Sequence, residues 1–406
     1  MSQQRISIID AIRGMAVFGI LLANIQSWSG YKFVPFEVHD TQPLHAYDHY
    51  FKAVHQFVVD GKFYAIFSIL FGAGFAIQFV KNQERMDPFL QMYRRRLKFL
   101  LMFGLLHTVV WSGDILTLYA LLAFVLVAIR DIPYRWLLPT SIFLLSLFAL
   151  THLIVLFGGL APEPIEQTAY KTYPDIDSVS YMAIFTDGSV VDVFKRNWEN
   201  VYYRWADMLP NGRVSRVLGF FMLGFYMMRS GFFTKHIYKW SVLLGSLVVG
   251  SVLTFIVSEQ GTSMASWSTT AMDAWFKILV VGAQIALAIG YMCILAQIYQ
   301  RPIGEKLLWP LTAIGRMAFT NYLSQTLIGI LLFYGFAGGL YGKLSLTQLY
   351  MLAVLIYSAQ VLFSSCWAKF FKQGPVEWLW KCLTTGKWTS NRKQVQVSQA
   401  EGATRA

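Results

Sequence analysis

Ten stretches of this chain are apolar over lengths close to the roughly 20 residues that a helix needs to cross a bilayer. They lie at about 9–28, 61–80, 97–112, 115–129, 136–158, 216–230, 240–258, 275–299, 316–336 and 346–369. In lipid every backbone polar group must be satisfied within the segment, so such stretches are helices. The expected fold is therefore all-α, a polytopic membrane bundle of about ten helices. Composition agrees: 56% of residues are hydrophobic and only 14% charged, where soluble domains carry about 25% charged residues. The first stretch is too long for a signal-peptide core, carries Arg13 at its start and lacks a small-residue cleavage site near Trp28. It reads as a retained span.

Lys and Arg set the expected orientation. They gather after the second span (Lys81, Arg85, Arg94, Arg95, Arg96, Lys98) and recur at Arg130 and Arg135, Arg229 to Lys239, Arg301 and Lys306, and through the C-terminal segment. The alternate short loops instead hold Glu37, Asp40, Asp48, Asp60, Glu259 and Asp273. An even number of spans with this bias puts both termini in the cytoplasm. The net charge of +12 then belongs to a membrane surface, and no nucleic acid is expected as partner. The bundle is expected over 1–370, with 159–215 as an external cap. An interfacial helix anchored by Trp378 and Trp380 is expected over 371–390, and a disordered tail over 391–406. Three scattered cysteines, Cys293, Cys366 and Cys382, offer neither a disulfide framework nor a zinc site.

Polar groups inside apolar helices are costly and point to function. Arg13 and Asn24 are eleven residues apart, about 16 Å along a helix and nearly three turns, so they share a face. His107 and Asp114 flank a short helical hairpin whose Gly113-Asp114 turn should stop inside the membrane, where it must be buried in protein or face water. Asp114 in that place either works on a substrate or caps the following helix. Thr320, Asn321, Ser324 and Gln325 form a polar stripe that turns into the bundle, bonding another helix or lining a path. His45 and His49 bracket Asp48 at i, i+4 spacing, but no third ligand can be placed, so no metal site is expected and solvated loop histidines remain. Gly72 and Gly74 read as a close helix contact.

Several motifs together resemble the YeiB-like inner-membrane proteins, a family built on a domain of unknown function. They are Arg13-Gly14 after Ile9-Asp10, Gly19 to Asn24, Leu70 to Gly74, Gly113 to Leu116, Gly315 to Tyr322, and Gln373 to Trp380. The resemblance covers nearly the whole chain and is least over 159–215. That family is grouped with a transmembrane acyltransferase superfamily, which includes the O-acyltransferases of surface glycans and the lysosomal heparan glucosaminide N-acetyltransferase. The O-acyltransferases carry His eleven residues after the Arg of the first span; this chain has Asn24 there and is similar to the glucosaminide enzyme. The resemblance implies a bacterial inner-membrane protein that takes an acyl group from acyl-CoA to a small-molecule or glycan acceptor. Arg13, Arg316, Arg94 and Arg95 would hold donor phosphates, Asn321 and Gln325 would bind substrate, and Asn24, His107 and Asp114 would do the chemistry. An Asn cannot act as base, so His107 or a histidine of the first outer loop would have to. The competing expectation is a transporter of a small polar metabolite that uses the same polar interior, with lipids and a second copy of the chain as remaining partners.

Overall fold

A computed structural model of the protein describes residues 7–158, 178–208, 211–260 and 270–393. Among these the chain is helical, with no strand beyond a single antiparallel bridge between Phe371 and Arg392. The main helices are α1 (Ser7–Trp28), α2 (Asp48–Val54, which runs into a π-helical turn over His55–Val59), α3 (Lys62–Lys81), α4 (Met86–Val110) and α5 (Leu116–Ala128). They continue as α6 (Tyr134–Phe157), α7 (Ser178–Thr186), α8 (Val190–Met208), α9 (Arg213–Arg229) and α10 (Trp240–Glu259). The last are α11 (Ala271–Tyr299), α12 (Gly304–Arg316), α13 (Ala318–Phe333), α14 (Leu346–Phe370) and α15 (Pro375–Thr385). Among the described residues six helical stretches are long and apolar enough to cross a membrane, and α5 and α13 are shorter apolar helices. This is a membrane protein. Leu244, Val248, Val252 and Phe255 on α10, and Leu355 and Leu362 on α14, lie exposed, as side chains facing lipid would be.

The helices meet where small residues let backbones touch. A Cβ on Gly14 would collide with the carbonyl of Leu311, and one on Gly315 with the carbonyl of Asp10. This crossing seats α12 against the first half of α1. Gly72 meets the Phe221 carbonyl of α9 in the same way, whereas Gly74 has open space beside it. Of the glycine pair expected to pack, one does.

The expected spans match helices to within a few residues, with two informative differences. Helix α4 begins eleven residues before the expected Leu97, because the arginine-rich stretch is already helical. The expected span at 316–336 is broken at Met317, where α12 ends and α13 begins. Glu377 of α15 accepts from the backbone N–H groups of Phe319 (2.8 Å) and Thr320 (3.1 Å) and from the Thr320 hydroxyl. These are orphan donors of the first turn of α13, and burial holds the Glu377 carboxyl above its ordinary pKa.

Residues 159–177 and 209–210 of the expected cap lie outside the described residues; the rest of it forms α7, α8 and the first residues of α9. Of the expected tail, 394–406 lie outside the description. Its first residues are ordered: the Asn391 side chain exchanges two hydrogen bonds with the Gln373 backbone, at 3.0 and 2.8 Å. The expected boundary at 391 therefore does not hold, because Asn391 to Lys393 fold back onto Phe370 to Gln373.

Candidate functional site

Two cavities enter the bundle from opposite ends. The nearer one, at the end where Arg13 and the C-terminal helix lie, has a volume of about 570 Å³. Its interior is apolar, with Leu70, Phe71, Phe75, Leu97 and Leu100. Its rim is cationic: Arg13, Arg96, Arg316, Lys372 and Lys381. Arg13 donates to Asp10 at 2.8 Å, and Arg316 stands 3.7 Å from the same carboxylate. Arg96 lies over the Trp380 ring at 4.1 Å, and the Trp380 indole donates to the Arg96 carbonyl at 2.9 Å. Helix α15, expected as an interfacial anchor, thus closes one wall of this cavity through Glu377, Trp380 and Lys381. Arg94 and Arg95 are exposed and do not line it.

The far cavity is larger, about 830 Å³. One face of α1 (Ile20, Asn24, Ser27), the start of α3 (Phe63, Tyr64), the Trp111 to Gly113 turn and the start of α9 (Arg213, Arg216) form its walls. Helix α8 covers it with Arg196, Asn197, Asn200, Tyr203, Arg204 and Asp207. These recur at helical spacing, so a single face of α8 is turned inward. Burial, then the neighbouring Arg213, pushes Arg204 down to about 10, which leaves it charged at neutral pH. Phe67, Leu116, Tyr119 and Tyr322 belong to both cavities. They form the shared wall, and the Tyr119 hydroxyl is fixed to Ser68 at 2.5 Å.

The predicted site residues fall into three groups. Arg13 and Asn24, on one face of α1 as their spacing requires, reach different cavities, Arg13 the near one and Asn24 the far one. Arg316 joins Arg13. His107 and Asp114 do meet: His107 Nδ1 is 2.7 Å from Asp114 Oδ1, and Nε2 is 2.9 Å from the Thr326 hydroxyl. Both are buried and line neither cavity. Asp114 also accepts from the N–H groups of Leu116 (3.0 Å) and Thr117 (2.7 Å), so it caps α5. Asn321 and Gln325 join α13 to α14: Asn321 donates to Ser364 at 3.0 Å and Gln325 to Gln360 at 2.9 Å. They too line neither cavity.

Of the outer-loop residues, Asp48 caps α14 through Leu346 N (3.1 Å), Thr347 N (2.9 Å) and the Thr347 hydroxyl (2.8 Å). His45 and His49 are exposed, each bonded to a nearby carbonyl. His55 lines the far cavity, held by Tyr350 at 2.7 Å and Gln26 at 3.0 Å. No group of His, Cys, Asp and Glu suited to a metal occurs among the described residues.

Sequence reasoning missed the arginines of α8 and α9. Their signal was present: Arg213 and Arg216 stand one turn apart at the start of an apolar helix, on the side opposite the arginine-rich loops.

Residues 227–387 match a family described as "Protein of unknown function (DUF418)". Over nearly its whole length the chain is similar to proteins named only as uncharacterized. YxaH of Bacillus subtilis (strain 168) is 27% identical over 418 residues, 98% of each chain. YeiB of Escherichia coli (strain K12) is 28% identical over 395 residues, 93% of this chain and 95% of that one. A 39.9 kDa protein from Bacillus acidopullulyticus, named for its place in the amylase 3′ region, is 28% identical over 391 residues, 94% of each. No solved structure matches. The matched family segment holds the 315–322 and 373–380 motifs and most of the near cavity's rim, whereas Arg196, Arg204, Arg213 and Arg216 lie before it.

Proposed function

For a chain that is YeiB-like along its length and carries a DUF418 segment of unknown function, we propose a membrane acyltransferase of the bacterial inner membrane. Ten helices, α1, α3 to α6, α9 to α11, α13 and α14, cross the bilayer in this reading. The lysine- and arginine-rich end, with both termini, faces the cytoplasm. One observation carries the proposal: a cavity with a cationic rim and an apolar interior meets a polar cavity from the opposite end across a shared wall of Phe67, Leu116, Tyr119 and Tyr322. Arg13, Arg96 and Arg316 suit the phosphates of a cytoplasmic acyl-CoA. The apolar interior suits its acyl chain.

The acceptor would enter from the far side. Its hydroxyl or amine adds to the thioester carbonyl carbon near the shared wall, the C–S bond breaks, and the acyl group stays on the acceptor oxygen or nitrogen. Asn24 can donate to the carbonyl oxygen as charge develops there. His55, the imidazole that lines the far cavity, takes the acceptor proton, which then neutralises the thiolate. His107 and Asp114 are positioning residues here, holding the Trp111 to Gly113 turn.

The transport reading relied on Asn24, His107, Asp114, Asn321 and Gln325 as a polar path. Of these only Asn24 lines either of the two cavities, whereas Asn24 and His55, the residues used here for transfer, both do. The test is release of free thiol from acyl-CoA by the purified protein in nanodiscs with candidate acceptors. The expected result is turnover that is lost in Asn24→Ala and His55→Ala while acyl-CoA binding is retained. Solute uptake into proteoliposomes without thiol release would overturn the proposal.

A further inference from the structure

Lys32, Arg196, Arg204, Arg213 and Arg216 line the far cavity against only two carboxylates, Asp60 and Asp207. Arg196 is answered by Glu199 at 2.9 Å and Arg204 by Asp207 at 3.5 Å. Arg213 and Arg216 differ. They stand one turn apart at the head of α9, and no ion pair to either occurs among the described residues. Arg216 is only 3% exposed, and its Nε has no hydrogen-bond partner. Its guanidinium lies 5.9 Å from the Tyr64 ring and 5.6 Å from the Phe148 ring, while that of Arg213 lies 4.4 Å from Tyr64. A ring face restores only part of the hydration that a buried guanidinium gives up. Two such groups side by side, with no carboxylate in ion-pair contact among the described residues, are a charge awaiting an anion.

We infer that the far cavity takes a phosphate ester of a hydroxylated compound, a polyol or a sugar, with the phosphate seated on Arg213 and Arg216 and with Arg204 beside it. Guanidinium forks match phosphate oxygens in pairs. The amides of Asn24 and Asn200, which line the same space, meet the hydroxyls. That this ester is the acyl acceptor rests on the proposed transfer reaction; the anion site itself does not.

The experiment uses the full chain in phosphatidylcholine nanodiscs. Glycerol 3-phosphate in solution and phosphatidylglycerol in the disc supply the same chemistry from two sources, with glycerol as the uncharged control. Binding of one or both esters is expected. It should weaken about tenfold or more in Arg213→Gln and Arg216→Gln, the loss of one charged hydrogen bond, and recover in part in Arg213→Lys. If Arg216→Gln fails to fold, the half-buried Arg213 carries the comparison. Binding of the soluble ester alone identifies a free acceptor, and of the lipid alone a membrane-borne one. Equal binding by wild type and Gln variants, no binding from either source, or equal competition by glycerol would overturn the inference. Acyl-CoA binding, measured separately, should be unchanged in these variants; its absence from wild type with phosphate binding intact would sink the transfer reading and leave the anion site standing.

Discussion

Replacing Asp114 by alanine removes a carboxylate whose oxygens satisfy four neighbours at once, the Thr108 hydroxyl at 3.3 Å among them. Oδ2 accepts the Thr117 N–H at 2.7 Å; Oδ1 accepts the Leu116 N–H at 3.0 Å and lies 2.7 Å from His107 Nδ1. Loss of a helix cap costs about 0.5–2 kcal/mol. Leaving a buried ring nitrogen without its partner costs about 1–3 kcal/mol more. The expected destabilisation is therefore about 3 kcal/mol, a large fraction of the stability of most domains. Asn keeps one acceptor oxygen, so Asp114→Asn should lose roughly half as much. The assay is reversible unfolding in mixed micelles, with His107→Ala and the double variant completing a cycle. The pair should couple strongly, because each residue satisfies the other. Asp114→Ala within about 0.5 kcal/mol of wild type, the range of ordinary surface changes, would refute the structural role given to this carboxylate.

Two further outcomes follow from the geometry. Arg13→Gln and Arg316→Gln should weaken acyl-CoA binding about tenfold or more each, the loss of one charged hydrogen bond, whereas Arg94→Gln and Arg95→Gln, on the exposed side of α4, should leave it within about threefold, a few tenths of a kcal/mol; a titration with a fluorescent acyl-CoA measures both. Burial raises the Glu377 carboxyl pKa, so its contribution to stability is full below the unfolded value of about 4.3 and is lost as pH rises through the raised folded value. Wild type should accordingly lose stability over that interval relative to Glu377→Gln, read as unfolding midpoints against pH.

The bundle was legible because membrane helices announce themselves by length and apolarity, and charged flanks mark their ends. The break at Met317 was not, since it depends on Glu377, sixty residues away in sequence, to cap the start of α13. The shared face of Arg13 and Asn24 followed from helical period alone; that the two would serve separate cavities did not, because nothing local says where a wall will stand. Asp114 was readable as either a cap or a reactive group, and only the positions of Leu116 and Thr117 decide between them. The row Arg196, Asn200, Tyr203, Arg204 and Asp207 lies at helical spacing and could have been found as an inward face. Taken over the whole segment the row disappears, because its mixed charges average out.

Whether the two cavities open to opposite sides of the membrane is read by labelling one introduced cysteine at a time with a membrane-impermeant maleimide in a background carrying Cys366→Ser, since Cys366 is the exposed native thiol and Cys293 and Cys382 are buried. Ser112→Cys lines the far cavity and Gly74→Cys the near one. Ser112→Cys should label from outside intact spheroplasts, and Gly74→Cys only in inverted vesicles. Labelling of both from the same side would contradict that arrangement.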